Sequence, residues 1–215
     1  IIDGALNSRR LAEEAGYTAA CFISSDKSRA ATTIYGACKY VAGEAFIANA
    51  PASAPRLSTA VYGNVLNSTG SVIPLIWSSI KANRPLTLYG GDMTRFFIDA
   101  DAAVDLILTA LEYSGVNVIP ALRSMRIADL FEVYREYFGL QYEIAQPRPN
   151  EKIHELLAAA EEVPRMQPIG GAYIMDQVQT FSEVRFPNGE YSSRDFLIDK
   201  TELEDMLEAK GHYKP

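Results

Sequence analysis

Apolar residues recur along this chain in two periods, and the switches between them predict strands alternating with helices. Across residues 1–16, Leu6, Leu11 and Ala12 stand among polar positions and Gly16 follows as a stop, which predicts a helix. Ala19-Ala20-Cys21-Phe22-Ile23 is a continuous apolar run of the kind carried by a strand buried on both faces, so residues 19–24 read as a strand. Residues 33–49 read as a helix, 50–56 as a Pro/Ala/Ser loop and 57–62 as the next strand. Ser71 can cap a helix to about Asn83, with Pro74 tolerated in its first turn and Trp77 on its core side. A short strand at 86–89 and a Gly90-Gly91-Asp92 turn come next. Asp99 or Asp101 opens a helix to Tyr113, with Val104, Ile107, Leu108 and Leu111 on the buried face. Residues 116–119 form a strand, 124–138 a helix stopped by Gly139, and 142–145 a small strand. From Glu161 onward Pro164, Pro168, Gly170, Gly171, Pro187 and Gly189 predict irregular chain until Thr201, which with Glu204 offers a capping box for a last helix. Strands alternating with helices predict an α/β fold.

Composition narrows the partners more than the fold. The chain has 215 residues, enough for one sizeable core and a smaller lobe, and is 48% hydrophobic and 22% charged. A formal charge of −7 argues against general affinity for nucleic acid or for anionic lipid, so an anionic ligand has to be held by local arginines. No stretch has the length of a membrane span and no signal-type segment opens the sequence, so a cytoplasmic protein is expected. Cys21 and Cys38 fall inside a predicted strand and helix and read as small core residues of a reducing compartment. His154 and His212 are far apart with no cysteine beside either, so no metal site is expected.

The candidate chemistry is concentrated near the first strand. Ser24-Ser25-Asp26-Lys27 follows its carboxyl end, where open α/β sheets bind ligands. Tyr35 and Lys39, four apart, share one face of the next helix. An ammonium beside a phenol favours the phenolate, a base able to take a proton from a sugar hydroxyl. Taken alone, the pair is better read as an exposed lysine beside a half-buried tyrosine. Asn64 either offers an amide to a phosphate or sugar oxygen or is a turn residue after Gly63. Arg95 among aromatic residues and the charged run Arg148-Pro149-Asn150-Glu151-Lys152 have equally plain readings, as a structural motif and a solvated loop with a weak ion pair.

Taken together, Ser-Ser-Asp-Lys and Tyr35-Gly36-Ala37-Cys38-Lys39 resemble the nucleotide-sugar 4,6-dehydratases of the extended short-chain dehydrogenase/reductases. The resemblance continues in order through Tyr62-Gly63-Asn64-Val65, Gly70-Ser71-Val72-Ile73-Pro74, Met93-Thr94-Arg95-Phe96-Phe97, Pro120 with Ser124-Met125, and residues 148–155. Tyr191-Ser192-Ser193 is similar to the configuration-inverting UDP-N-acetylglucosamine 4,6-dehydratases, which begin pseudaminic acid synthesis. The resemblance implies the carboxy-terminal part of a Rossmann-like doubly wound parallel sheet with a smaller α+β substrate lobe. Residues 1–120 would be the remainder of the NADP-binding domain with interleaved lobe segments, and 121–215 the substrate lobe and tail. It implies NADP (or NAD) as cofactor, held by Ser24, Tyr35, Lys39 and Tyr62, and a nucleotide sugar as substrate, held by Ser25, Asn64, Val72, Arg95, Arg148 and Glu151. Arg95 and Arg148 would take the diphosphate, and Glu151 the ribose or base. The implied catalytic set is Asp26, Lys27, Tyr35 and Lys39: Tyr35 for the carbon 4 hydroxyl, Lys27 and Asp26 for proton loss at carbon 5 and water loss at carbon 6. A homo-oligomer is implied for the complete protein.

Departures from the pattern are Ser25 for threonine, Val61 for arginine, Thr69 for a basic residue, Asn150 for glycine, and Ala30-Ala31 for Asn-Pro. The chain contains no Gly-x-Gly-x-x-Gly, the turn that holds a dinucleotide pyrophosphate. The expectation is that the opening strands of the cofactor domain are supplied elsewhere, that this chain alone binds dinucleotide poorly and is inactive, and that the 19–24 strand stands as an exposed apolar edge. Two other readings remain: an epimerase or reductase of the same superfamily, which normally lacks the Asp-Lys pair, and a non-catalytic piece that binds a partner chain.

Overall fold

A computed structural model describes residues 1–50 and 55–213, so positions 51–54 of the expected Pro/Ala/Ser loop lie outside the described residues. In chain order the first elements are α1 (Ile2–Glu14), β1 (Ala19–Ile23), α2 (Ile34–Ile47), β2 (Arg56–Ala60), β3 (Asn64–Val65) and α3 (Val72–Ala82). They are followed by β4 (Leu86–Tyr89), β5 (Thr94–Ile98), α4 (Ala100–Ala110), β6 (Val116–Pro120), β7 (Ser124–Arg126), α5 (Ile127–Phe138) and β8 (Tyr142–Ala145). The last are β9 (Leu156–Ala158), β10 (Met166–Ile169), β11 (Ala172–Asp176), β12 (Tyr191–Ser192) and α6 (Lys200–Ala209). The fold is α/β, and the chain gathers into two compact units. One comprises Ile1–Gly63, Ala100–Ala121 and Leu156–Ser192; the other Asn64–Asp99, Leu122–Glu155 and Ser193–Pro215.

The first unit is built on a five-stranded sheet of order β1-β2-β6-β11-β10. β1, β2 and β6 run parallel, while β11 and β10 are antiparallel additions. Alternation along the strands sends side chains to both faces, and helices cover both. Leu57 packs with Ala5, Ala42, Phe46 and Ile47 of α1 and α2; Ala60, one pleat out of phase, packs with Leu106, Ala110 and Val118 on the α4 side. β1 is an edge strand, and for that reason it is only half-buried where the sequence predicts burial on both faces. Cys21 and Cys38 are likewise only partly buried, and both are free thiols. Burial pushes the Cys21 thiol up to about 11, which leaves it unreactive at neutral pH.

α4 turns inward a face that only partly overlaps the predicted one: Ile107 packs against the core as expected, Val104 and Leu108 do not. Ala103, Leu106 and Ala110 are buried, while Val104 and Leu108 are exposed. Small residues let the helix approach until Ser58 Oγ donates to Ala110 O at 2.6 Å, a distance that branched side chains on that face would prevent. The region after Glu161 is also more regular than predicted. β10 and β11 form a hairpin across Gly170-Gly171, with Gly171 at φ +80°, a backbone that glycine adopts without strain. Pro168 is tolerated because β10 is the opposite edge of the sheet.

The second unit packs α3, α5 and α6 around Ile73, Ile76, Leu130, Phe131, Tyr134, Leu203 and Leu207. Trp77 lies in that core, edge-on to Tyr134 with centroids 5.4 Å apart. β4 pairs parallel with β8, and β5 joins β3 to β7. Residues 124–126, predicted as helix, pair with β5 as β7 before α5 begins. Ser71 precedes α3 without a side-chain capping bond, and the final capping box is Asp199 with Glu202, two residues ahead of the predicted Thr201 and Glu204.

Candidate active site

Beyond Ile23 the chain folds into a tight turn that stays pinned to the neighbouring strand. Ser24 N–H donates to Ala60 O at 2.8 Å and Asp26 N–H to Tyr62 O at 3.0 Å. Residues 26–28 form one 3₁₀ turn, capped by Ser25 Oγ, which accepts Lys27 N–H at 3.3 Å. Ser28 N–H donates to Ser25 O and Arg29 N–H to Asp26 O, closing it. Ser24 Oγ donates to Ser28 Oγ at 3.3 Å. Tyr62 is half-buried, which raises its phenol pKa, and Val61, where the resemblance leads one to expect arginine, is fully buried.

Asp26 and Lys27 differ in reach. Asp26 is 0% exposed; its Oδ1 accepts from Ser25 Oγ at 2.9 Å and from Lys27 Nζ at 3.1 Å. Its Oδ2 is buried with no hydrogen-bond partner, an arrangement that is costly and therefore uncommon. Lys27 keeps 41% of its side chain exposed. A ligand arriving here touches Lys27, with Asp26 behind it.

The first turn of α2 bears directly on this turn. Thr33 Oγ1 caps the helix by accepting Gly36 N–H at 3.1 Å. A Cβ at Gly36 would stand 2.1 Å from Lys27 O, so only glycine fits between helix and turn. Tyr35 is 49% exposed. One helical turn on, Lys39 Nζ donates to Ile23 O at 2.8 Å and lies 4.9 Å from the Phe22 ring centroid. Partial burial lowers the Lys39 pKa. The structure thus brings Ser24, Ser25, Asp26, Lys27, Tyr35, Lys39 and Tyr62 into one unit, at the carboxyl ends of β1 and β2.

The second unit holds a cavity of about 280 Å³, lined by Asn64, Val72, Arg95, Arg148 and Glu151 together with Ser71, Tyr89, Phe131 and other residues. Ser25 is not among its walls. Arg95 is 8% exposed; it donates to Thr94 O at 2.8 Å and Ile153 O at 3.1 Å, and faces Glu151 at 3.4 Å and Glu155 at 3.9 Å. Arg148 is exposed and lies over the Tyr89 ring, 4.0 Å from its centroid. Walls of this kind, apolar with a few convergent polar groups, suit a ligand with an aromatic and an anionic part.

Sequence reading passes over the groups that brace Arg95. His154 Nδ1 is 2.9 Å from Thr94 Oγ1, which is 2.7 Å from Ser193 Oγ, and Ser193 Oγ accepts Glu155 N–H at 2.9 Å. Burial, then the charges of Arg194 and Arg95, hold His154 below its usual pKa. Ser193 is 99 residues from Thr94, so no local pattern announces the contact.

Comparison with known proteins adds an independent line. The profile of a family described as polysaccharide biosynthesis protein matches residues 1–177. A Methanocaldococcus jannaschii protein described as an uncharacterized membrane protein is 34% identical over 71% of this chain and 50% of its own length. A UDP-N-acetylglucosamine 4,6-dehydratase (inverting) from Campylobacter jejuni is 30% identical over 75% and 49%, and a UDP-glucose 4-epimerase from Rickettsia felis 37% over 52% and 34%. The X-ray structure of Pen from Bacillus thuringiensis superposes with a TM-score of 0.86 at 26% identity, covering 97% of this chain and 68% of that one. The chain spans half or less of the length of these curated relatives. No helix among the described residues is long and apolar enough to cross a membrane.

Proposed function

Since this chain belongs to the polysaccharide biosynthesis protein family, we propose that it carries the catalytic residues of a nucleotide-sugar 4,6-dehydratase acting on UDP-N-acetylglucosamine with inversion at carbon 5. The observation that carries the reading is the Asp26–Lys27 pair, held in a rigid turn against the first turn of the helix that bears Tyr35 and Lys39. Transfer of hydride at carbon 4 needs only a base such as Tyr35. Loss of water needs a second acid–base pair, and the adjacency of Asp26 and Lys27 supports that role for them.

Half-exposed Tyr35 and the Lys39 ammonium fixed at the end of β1 fit the ribose end of a nicotinamide cofactor, NADP or NAD, with Ser24 and Tyr62 beside them. When bound, that group would accept hydride from carbon 4 and return it to carbon 6. Tyr35 takes the proton of the carbon 4 hydroxyl, with Lys39 one turn further along the same helix. The ketone so formed acidifies carbon 5. Lys27, the exposed member of the pair, meets the sugar there, with its Nζ 3.1 Å from Asp26 Oδ1. One of the two takes the carbon 5 proton and the other gives a proton to the departing carbon 6 hydroxyl. Return of a proton to carbon 5 from the opposite face gives the inverted sugar. In the second unit, Arg95 and Arg148 take the diphosphate, as planar permanent cations suit, while Asn64, Val72 and Glu151 hold the sugar, ribose or base. Ser25 contributes a hydroxyl from the turn.

The second reading is a 4-epimerase, favoured by the relative of that name. The test is product analysis of Asp26→Asn and Lys27→Ala in the full-length protein. The dehydratase reading expects both variants to oxidise carbon 4 and neither to lose water. An epimerised product from wild type, unchanged in both variants, would decide for the epimerase.

A further inference from the structure

Arg29 follows directly on the Asp26–Lys27 turn, yet it is 2% exposed, an unusual place for a guanidinium. Its Nη1 donates to Glu162 at 2.7 Å and its Nη2 to Asn117 Oδ1 at 3.0 Å. Asn117, on β6, in turn donates to Glu44 Oε1 at 3.0 Å, and Glu44 lies on α2, the helix of Tyr35 and Lys39; Arg29 Nη1 is itself 3.7 Å from Glu44. Glu162 uses its other oxygen to accept Ala159 N–H at 2.9 Å, so the counterion is fixed too.

A buried ion pair of this sort is a poor way to gain stability, because apolar side chains of similar volume often serve as well or better. What it supplies instead is direction: a guanidinium fork satisfies its acceptors in one orientation only. Immediately after it, Ala30 takes φ +43°, in the left-handed region that an alanine does not favour, so local preference does not set this backbone. We propose that Arg29 is a positioning residue, which through Glu162 and Asn117 holds the Asp26–Lys27 turn in register with the Tyr35–Lys39 face of α2. The proposal rests on the dehydratase reading for what the register accomplishes.

The test uses full-length protein carrying Arg29→Lys, and Arg29→Met combined with Glu162→Gln so that Glu162 is not left as a buried charge facing an apolar side chain. The paired variant is expected to stay folded by circular dichroism and to lose about 30-fold in kcat with KM nearly unchanged, the cost of a displaced catalytic group. Arg29→Lys, which keeps a donor and a charge, is expected to recover most of that loss. Acylation by a small anhydride, read residue by residue by mass spectrometry, needs no turnover: labelling of Lys27 should rise about tenfold in the paired variant while Lys39 stays constant. Unchanged kcat, or equal gains in labelling at Lys27 and Lys39, would reduce Arg29 to a scaffold residue and overturn the proposal. A wild-type protein that turns its sugar over without losing water sinks the dehydratase reading alone, because the kcat-against-KM split and the labelling still judge Arg29.

Discussion

The turn at residues 24–29 and the cavity of the second unit are held by opposite means. In the turn, backbone N–H groups of Ser24, Asp26, Ser28 and Arg29 all have backbone acceptors, and α2 presses on Lys27 O with room only for glycine. In the cavity, the polar groups rest on exchangeable partners: Glu151 on Arg95 at 3.4 Å, and Arg148 on the face of Tyr89. A ligand can displace those contacts at little cost, since an exposed cation–π pair is worth about 0.5–1 kcal/mol. Groups that move protons have to be in place beforehand; groups that bind a mobile anionic ligand do better with a stand-in to give up.

The sharpest way to break this contrast is at Tyr35. On the proposed reading, Tyr35→Phe should lower turnover by roughly 100-fold or more with the fold intact, the scale on which loss of an acid–base group acts. Turnover within a few-fold of wild type would remove Tyr35 from the chemistry.

On the cavity side, the two arginines should separate. Arg95, buried and braced by Thr94 O and Ile153 O, should weaken UDP-sugar binding by roughly 10- to 100-fold when changed to alanine, the scale of charge-assisted hydrogen bonds lost from a buried site. Arg148→Ala should cost only about threefold. Calorimetric titration of both variants checks the order; the reverse order would make the exposed arginine the true anchor.

Two glycines of α2 sharpen the picture within one helix. Gly36→Ala must shift the Lys27 backbone and should destabilise by about 1–3 kcal/mol. At Gly43 the nearest atom to an added Cβ, Thr59 Cγ2, is 3.6 Å away, so Gly43→Ala should instead stabilise by about 0.5–1 kcal/mol through helix propensity. Urea unfolding of the pair measures both signs.

The smallest effect concerns pH. His154 is held below its ordinary value of 6.5, so the folded state prefers it neutral. Its contribution to stability is fully present above that value and is lost as pH falls through the lower folded value. His212 is also held low, by burial, so the wild-type curve contains both. Comparing the urea midpoint against pH for wild type and His154→Asn isolates the His154 part, and parallel curves would assign the whole acid limb to other groups.

How legible these features were in the sequence follows the same division. Ser24 through Lys39 could be read because strand, turn and helix are consecutive and helical spacing places Tyr35 over Lys39. Arg29 could not, because its partners at Glu44, Asn117 and Glu162 come from distant elements and a buried arginine runs against every local expectation. The α4 face was misjudged because period alone favours Val104 and Leu108, whereas close approach to β2 favours Ala103 and Ala110. Pro168 and the glycines at 170 and 171 looked like breaks, and they are an edge-strand residue and a hairpin turn.

The chain enters its two units in six alternating segments and so crosses between them five times. This bears on how the protein is made. As the ribosome extends the chain, β1, α2 and β2 emerge early, but β10 and β11 of the same sheet, and Glu162, the counterion of Arg29, follow only after most of the second unit has been synthesised. α6, which brings Leu203 and Leu207 to the second core, comes last of all. Domain-by-domain folding during synthesis is thus closed to it. Neither unit can complete its core until its last segment, 156–192 or 193–215, has been made, and no single cut between these segments yields either one alone.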